Sequence, residues 1–474
     1  MFTLNDIIQG NEGNVTLHGS TADNLALQFN AAQHDSRQIM PGDLFVAIKG
    51  EHVDGHRFIP SVARAGASGA LCTQPASDVP AEFLQIVVPD VIKALHGTAR
   101  VRASRQQHTT LIGITGSNGK TSTKEAIAAV LSHKAPTLKT LASYNNEIGY
   151  PLTLLRLEPQ HRYAVLEMGA QWVGELRWLS TTVACPHWSL ITSVGAAHLE
   201  YFGSLERVVI AKSELVQVLA PEGIAFLNYD DPNVRGMAEK TRARVIYYGQ
   251  GEGAEVRGSE VGGEPLLGRH FTLHYRGQQE RVQLHLPGEH GVTIALAAAA
   301  VGCAAEMALD EIVAALEALA PVKGRGEIKS GPNGSTLIDD TYNANRHSII
   351  AIAHTMRDTT LSAGSRRWAV LGDIFELGDY ARAEHHETGA VLAGCIDYLV
   401  AIGDKARFFV EGAIEAGMPQ SHTYYFPADV TSNSELEAAK GAAADLLKRE
   451  LHAGDLVLLK GSRGMRIETL LSMF

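Results

Sequence analysis

Cysteine is scarce in this chain and unpaired in spacing. Cys72, Cys185, Cys303 and Cys395 are the only four in 474 residues, and none stands near another. That excludes a zinc ribbon and a disulfide scaffold, and it fits thiols kept reduced in the cytoplasm. Positive charge is in deficit. Lys and Arg number 41 against 52 Asp and Glu, a formal net charge of −11, with an isoelectric point near 6.0. A general nucleic-acid or anionic-membrane surface is excluded, so any anionic substrate has to be held by local cations and N–H groups. Long apolar runs are missing. The longest alanine-rich stretch, residues 294–301, is far too short to span a bilayer. Residues 1–8 lack the basic region and apolar stretch of a signal peptide. Low-complexity tracts and short-period repeats are absent as well. These gaps leave a cytoplasmic, globular protein without stable membrane insertion.

What is present fits that class. Hydrophobic residues make up 45% and charged residues 20% of the chain. The length is too great for one core and suggests about three domains. Two composition breaks divide it. Residues 101–108 are polar, and residues 320–326, Ala-Pro-Val-Lys-Gly-Arg-Gly, form a Pro/Gly linker. The expected domains are therefore 1–107, 108–322 and 323–474. The first mixes short strands, such as 43–48 and 83–88, with short helices. The second alternates strands at 109–114, 163–166, 188–194, 223–228 and 244–248 with helices. The third repeats that alternation, with strands at 336–339, 368–372, 398–402 and 456–459. Such alternation predicts an α/β protein with mainly parallel sheets covered on both faces. Ligands in such sheets bind beyond the carboxyl ends of the strands. Lys120, Glu167, His198, Asp340, Asp373 and Ser462 each follow an apolar run.

The most informative segment is Thr115-Gly116-Ser117-Asn118-Gly119-Lys120-Thr121-Ser122. It joins the apolar run 109–114 to a stretch in which Ile127, Val130 and Leu131 recur at helical spacing. Glycines let the backbone approach an oxyanion, the helix N-terminus presents N–H groups, and Lys120 adds a charge. The Thr121 hydroxyl can reach a magnesium ion on the same phosphates. The segment is a nucleoside-triphosphate cradle with one departure: Ile114 stands where the Walker spacing wants glycine.

Other positions are ambiguous by themselves. Glu167 at a strand end is either a magnesium carboxylate or a cap. His198, in Gly195-Ala196-Ala197-His198, is a packed residue or a ligand. Ser204 reads as the cap of a helix running to about Leu219, with Val208, Lys212, Leu215 and Leu219 on one face. A lysine in that apolar stripe has to snorkel, pair or be chemically neutralised. Asn145 and Asn146 form a polar turn that is either a plain Asx-turn or a reader of substrate carbonyls. Arg325 in the linker is either solvated or able to swing onto phosphates.

Taken together these residues resemble the Mur ligase family, the ATP-dependent amide ligases of peptidoglycan synthesis. The matching stretches are Ile114 through Thr121, Leu166-Glu167-Met168-Gly169, Gly195 through Glu200, and Ala211-Lys212-Ser213-Glu214. Within the family the chain is most similar to the branch that joins D-alanyl-D-alanine to UDP-N-acetylmuramoyl-tripeptide. Three stretches point there: Asp35-Ser36-Arg37 with 41–50 and Asp54-Gly55-His56, then 339–345, then 371–378 with 385–389. The Asp-Asn-Pro-Arg mark of the diaminopimelate-adding branch is missing from the last domain.

The resemblance implies a small N-terminal UDP-binding domain, a central P-loop-type ATPase domain, and a C-terminal Rossmann-like domain that takes the incoming dipeptide. It implies ATP and magnesium, with two metal sites. Residues 115–122 and Lys120 in particular would hold phosphates. Thr121 and Glu167 would hold the first ion, and His198 and a carbamylated Lys212 would belong to the second. Asp340 would bond the ribose, with Arg325 on the phosphates and His290 also on the nucleotide. Ser36, Arg37, Lys49 and His56 would contact the UDP-linked substrate, Asn145 and Asn146 its muramoyl-peptide. Tyr342, Asn343 and Ser462 complete the substrate set, and the enzyme would be a monomer.

The chain departs from the family after Leu286-Pro287-Gly288. There the family carries His-Asn-x-x-Asn and this chain reads His290-Gly291-Val292-Thr293-Ile294. Without both asparagines, weaker selection for adenine is expected. Arg346 and His347 also replace a usual Pro and acidic residue. The rival readings are a lysine- or diaminopimelate-adding relative, a folylpolyglutamate synthase-like ligase, or a P-loop switch that binds nucleotide without making a bond.

Overall fold

A computed structural model of the protein describes residues 1–20, 23–50, 53–195 and 199–474. Among the described residues, three larger sheets succeed one another along the chain, beside a two-stranded antiparallel pair, Phe2–Thr3 with Gln28–Phe29. The first has five strands in the order Thr16–His18, Leu84–Val87, Gly69–Cys72, Leu44–Val46 and Ala32–Gln33. All its neighbours are parallel except the first pair. The third has six strands, ordered Glu327–Ser330, Thr336–Asp339, Leu456–Lys460, Arg367–Gly372, Tyr398–Ile402 and Thr423–Phe426. It too is parallel beyond one antiparallel edge pair.

The central sheet has nine strands. Its parallel part runs Thr137–Lys139, Tyr163–Glu167, Thr110–Thr115, Trp188–Ile191, Ile224–Asn228 and Arg244–Gly249. Successive residues of one strand feed opposite cores, as the pleat requires. Ile112, Ile114 and Val165 pack with helices Lys120–Lys134 and Gly288–Ala304. Leu111, Ala164 and Leu166 pack on the other face with Leu215 of helix Leu205–Gln217. Both faces are dry, which is why these strands are nearly continuous apolar runs. Strand Thr110–Thr115 lies between Tyr163–Glu167 and Trp188–Ile191, where the strand order reverses. Its carboxyl end is thus the topological switch point at which such sheets bind ligands.

Two expectations need correction. The central sheet does not end with the parallel strands, because Val256–Gly262, Arg269–Tyr275 and Gln278–Leu284 extend it, the last two pairings antiparallel. The strand expected over 188–194 stops at Ile191. Beyond it Thr192 Oγ1 turns to donate to Asn118 O at 2.6 Å, and Ser193 O accepts from Ser117 N at 2.7 Å. The residues after the strand therefore serve the glycine loop rather than the sheet.

Candidate active site

A cleft of about 1490 Å³ opens at the carboxyl ends of the central strands, lined from both the central and the third sheets' domains. Its floor is the glycine loop. Gly116 opens the loop at φ 148°, and a Cβ there would lie 2.0 Å from Thr192 Oγ1, so only glycine fits. The turn thus begins after Thr115, which explains why Ile114 can stay in the strand. Lys120 heads helix Lys120–Lys134, and its ammonium donates to Gly116 O at 2.7 Å and Ser117 O at 3.3 Å. Enclosure in the cleft pushes its pKa down, Glu167 opposing and Arg325 adding to the effect. Ser117, Asn118, Gly119, Lys120, Thr121 and Ser122 all line the cleft, whereas Thr115 and Gly116 lie beneath it.

Glu167 stands beside the loop at the end of its strand, buried. Asn145 Nδ2 donates to its Oε1 at 2.8 Å. Its Oε2 is buried and accepts no hydrogen bond from a described residue, although the Lys124 ammonium lies 3.8 Å away. A buried carboxylate oxygen without a donor is costly, and a hard cation shared with Thr121 Oγ1 and phosphate oxygens would satisfy it. Among the described residues no three His, Cys, Asp or Glu side chains cluster as a metal site. An ion bound here would therefore complete its shell with phosphate and water, as magnesium does. Asn146 behaves differently from Asn145. Its Oδ1 accepts from Gly149 N at 3.0 Å and Ile148 N at 3.3 Å, an Asx-turn, although the residue also lines the cleft.

Lys212 does not snorkel. Ser204 caps helix Leu205–Gln217 and the lysine is 2% exposed on the same face as Val208 and Leu215. Its ammonium lies 3.4 Å from Ala170 O and 5.8 Å from the centre of the Phe202 ring. Burial first, then the charge of Lys120, lower its pKa to about 7 against the opposing pull of Glu175 and Glu214. The result is an amine bordering the cleft that loses its proton far more readily than an ordinary lysine. His198, its expected companion, lies outside the described residues.

The third domain reaches the loop directly. Arg325 Nη2 donates to Thr121 Oγ1 at 3.0 Å, and Asn345 Nδ2 donates to Asn118 Oδ1 at 2.5 Å. Tyr342 hydrogen-bonds Ser143 through its hydroxyl. The guanidinium of Arg325 sits 4.2 Å over its ring and that of Arg463 at 5.4 Å. Asp340 pairs with the buried Lys460 at 2.5 Å, and Lys460 also donates to Asn343 O at 3.0 Å. Asp340, Tyr342, Asn343 and Lys460 line the cleft. Ser462 does not; its Oγ accepts from Phe375 N at 2.8 Å and braces that turn. Arg346 turns away to Glu384, at 3.6 Å, and Glu387, while His347 lines the cleft.

His290, Gly291, Thr293 and Ile294 form another part of the wall. A Cβ on Gly291 would lie 2.9 Å from both Cβ and the carbonyl oxygen of Leu286. An asparagine could not stand there without moving backbone. Four of the expected residues sit apart in the first domain. Ser36 and Arg37 form a turn capped by Asp35, which binds Arg37 through Nε at 2.9 Å and Nη2 at 2.8 Å. Lys49 is exposed and pairs in a bridge with Asp54. His56 lies between Asp54 Oδ1 at 2.7 Å and Thr73 N at 2.9 Å, so its Nε2 accepts and its Nδ1 donates. It lines a second, smaller cleft of about 290 Å³. The 34–38 turn still meets the central domain, with His34 edge-on to Tyr144.

Lys124 was not singled out by sequence. It is wholly buried behind the loop, and its only signal is the i+4 spacing from Lys120.

Residues 114–302 match the Mur ligase middle domain, 324–463 the Mur ligase glutamate ligase domain, and 29–103 the Mur ligase family catalytic domain. A UDP-N-acetylmuramoyl-tripeptide–D-alanyl-D-alanine ligase of Mycobacterium tuberculosis is 36% identical over 466 residues, covering 91% of this chain and 89% of the relative. The crystal structure of MurF from Acinetobacter baumannii superimposes with a TM-score of 0.84 at 32% identity, covering 99% of this chain and 98% of that one. MurF from Thermotoga maritima, solved in complex with ADP, gives 0.77 at 26% identity, over 94% and 97%.

Proposed function

The chain belongs to the Mur ligase family, and from that premise we propose how its cleft performs the family's chemistry. It is an ATP-dependent ligase that adds D-alanyl-D-alanine to UDP-N-acetylmuramoyl-tripeptide in peptidoglycan precursor synthesis, releasing ADP and phosphate. The observation that carries the reading is one cleft joining three things: a phosphate loop, a buried carboxylate with an unsatisfied oxygen, and a buried lysine titrating near neutrality.

In the first step the terminal carboxylate of the tripeptide attacks the γ-phosphorus of ATP, giving an acyl phosphate and ADP. In the second the amine of D-alanyl-D-alanine attacks the acyl carbon, an amide forms and phosphate leaves. The protein supplies position and charge. Lys120 and the loop N–H groups bind the phosphates. Arg325, within reach of Thr121, neutralises charge on the transferring group. Asp340, oriented by Lys460, takes the ribose. Asn145 and Asn146 face the muramoyl-peptide, and Ser36, Arg37, Lys49 and His56 the UDP end. Tyr342 and Asn343 face the dipeptide, and we keep Ser462 as a brace of that region.

Magnesium, when bound, would polarise the phosphoryl oxygens and screen their charge against the carboxylate. Thr121 and Glu167 fit the first ion. Lys212 fits the second only as a carbamate: the neutral amine adds to carbon dioxide, a proton is lost, and the side chain becomes an anionic oxygen ligand. His198 belongs to the same proposal. We place the enzyme in the cytoplasm and propose that it acts as a monomer; among the described residues no helix is long and apolar enough to cross a membrane.

An amine panel tests the substrate assignment. With UDP-N-acetylmuramoyl-tripeptide and ATP present, mass spectrometry should find the amide of D-alanyl-D-alanine and none of diaminopimelate, lysine or glutamate. An adduct with one of those instead would move the chain to another branch.

A further inference from the structure

Lys124 takes no part in the steps above and does not line the cleft, yet it ties Glu167 to the turn that carries Asn145. Its ammonium, 0% exposed, sits 3.0 Å from Glu125 Oε1 and 3.8 Å from Glu167 Oε2. It donates to Thr140 O at 2.8 Å and Ala142 O at 2.6 Å. Both carbonyls belong to the turn that carries Ser143 and Asn145. That turn is held in an unusual shape, with Ala142 at φ 45°, a left-handed conformation costly for a residue with a Cβ. The same turn grips Glu167 from the other side. Thr140 Oγ1 accepts from Glu167 N at 3.0 Å, Asn145 Nδ2 donates to Glu167 Oε1 at 2.8 Å, and Asn145 O accepts from Gly169 N at 2.7 Å.

The chemistry explains why a buried cation is retained. Two carbonyl oxygens and two carboxylates converge on one point, and an apolar side chain would leave the carbonyls without a donor and the carboxylates repelling. The lysine stands one helical turn beyond Lys120 and Thr121 on the same helix. A single rigid element therefore holds the phosphate site at its first residues and the turn bearing Asn145 at its fifth.

We infer that Lys124 is a positioning residue that sets the 140–146 turn and Glu167 in register with the phosphate loop. Through it the carboxylate of the acyl substrate is presented to the phosphoryl donor. The inference rests on the proposed role of Asn145 as an acyl-substrate contact. It assigns Lys124 no contact with substrate.

The test uses the full chain with Lys124→Met, which nearly keeps length and removes charge, and Lys124→Gln, which keeps an uncharged N–H donor group. Isothermal calorimetry measures ADP and UDP-N-acetylmuramoyl-tripeptide separately. Loss of a charged hydrogen-bond pair predicts about tenfold or greater weakening of the tripeptide in Lys124→Met, and a smaller loss in Lys124→Gln. ADP affinity measured without magnesium should stay within about twofold, since Lys120 remains in place and Glu167 would reach the phosphates only through the metal. Combined with Asn145→Ala, Lys124→Met should cost little beyond the weaker single variant, because both act through one turn. Equal weakening of ADP and tripeptide, fully multiplicative losses in the double variant, or no loss would each overturn the inference. Should Lys124→Met not fold, Lys124→Gln carries the same comparison. Should the unmodified protein not bind the tripeptide, the substrate reading fails instead. Hydrogen exchange then decides on Lys124: exchange of residues 140–147 should rise in the variant while residues 110–119 stay protected, and an unchanged turn would contradict the role.

Discussion

Burial sets the chemistry of Lys212 at the residue scale. An ordinary lysine is almost wholly protonated at neutral pH, but with a pKa of about 7 this one offers a free amine. Below that pH the ammonium returns and cannot add carbon dioxide; above it the amine is available. Protein equilibrated with ¹³C-bicarbonate at pH 8 should therefore show a carbamate carbon resonance that fades toward pH 6 and is missing in Lys212→Ala. A carbamate signal of equal size in Lys212→Ala would place the modification elsewhere. Lys120→Ala should lower turnover by about a hundredfold or more while leaving the melting curve intact, the usual result of deleting one preorganised charge contact. Near-normal turnover in that variant would refute the loop's role.

The cleft wall at residues 290–294 has room for an asparagine at one of its two positions only. With Leu286 only 2.9 Å from a Cβ on Gly291, Gly291→Asn should destabilise the protein rather than restore a base contact. Ile294→Asn alone can introduce an amide, because that residue borders the cleft. It should raise the ratio of kcat/KM for ATP over GTP by about tenfold, within the range of paired amide contacts to adenine. An unchanged ratio would mean that another group reads the base. Lys120 and Glu167, two strand-end residues that line the cleft, stood out in the sequence because polar groups after apolar runs are conspicuous. Lys124 did not, since Lys124-Glu125 on a helix reads as an ordinary solvated pair. It is buried only because residues 140–142 fold over it.

Among elements, the linker and the turn it feeds deserve the closest test. Arg325, Tyr342 and Asn345 already touch the phosphate-loop region through Thr121, Ser143 and Asn118. These contacts join the third domain to the central one by polar groups, the kind of interface that reopens easily. Arg325→Ala should raise KM for ATP by about tenfold, the value of a charged hydrogen bond. X-ray scattering should show a more compact particle when ATP and the acyl substrate are both present, hinged near residues 321–326. Superimposable profiles would remove closure from the cycle.

Element prediction succeeded where both faces of a strand are dry. Strands Tyr163–Glu167 and Tyr398–Ile402 are near-continuous apolar runs and stand where expected. It failed at Arg269–Tyr275 and Gln278–Leu284, where exposed and buried residues are mixed, Phe271, Leu273, Val282 and Leu284 being the buried ones. A half-wet hairpin shows as alternation, which a search for apolar runs passes over.

For the whole molecule, the α/β architecture was legible from alternation and the two composition breaks. The meeting of distant segments was not. Nothing in spacing brings Asn345 to Asn118, or the His34 turn to Tyr144, because such contacts arise from how finished domains pack. The cleft exists only in that assembly, and its central claim is that nucleotide turnover is tied to formation of one amide. The most direct measurement is ADP release by the full chain with ATP and magnesium, adding UDP-N-acetylmuramoyl-tripeptide and D-alanyl-D-alanine singly and together. The account predicts sustained ADP release only with both, matched one for one by the new amide. Sustained release with neither substrate, or with nucleotide hydrolysed and no amide made, would contradict it.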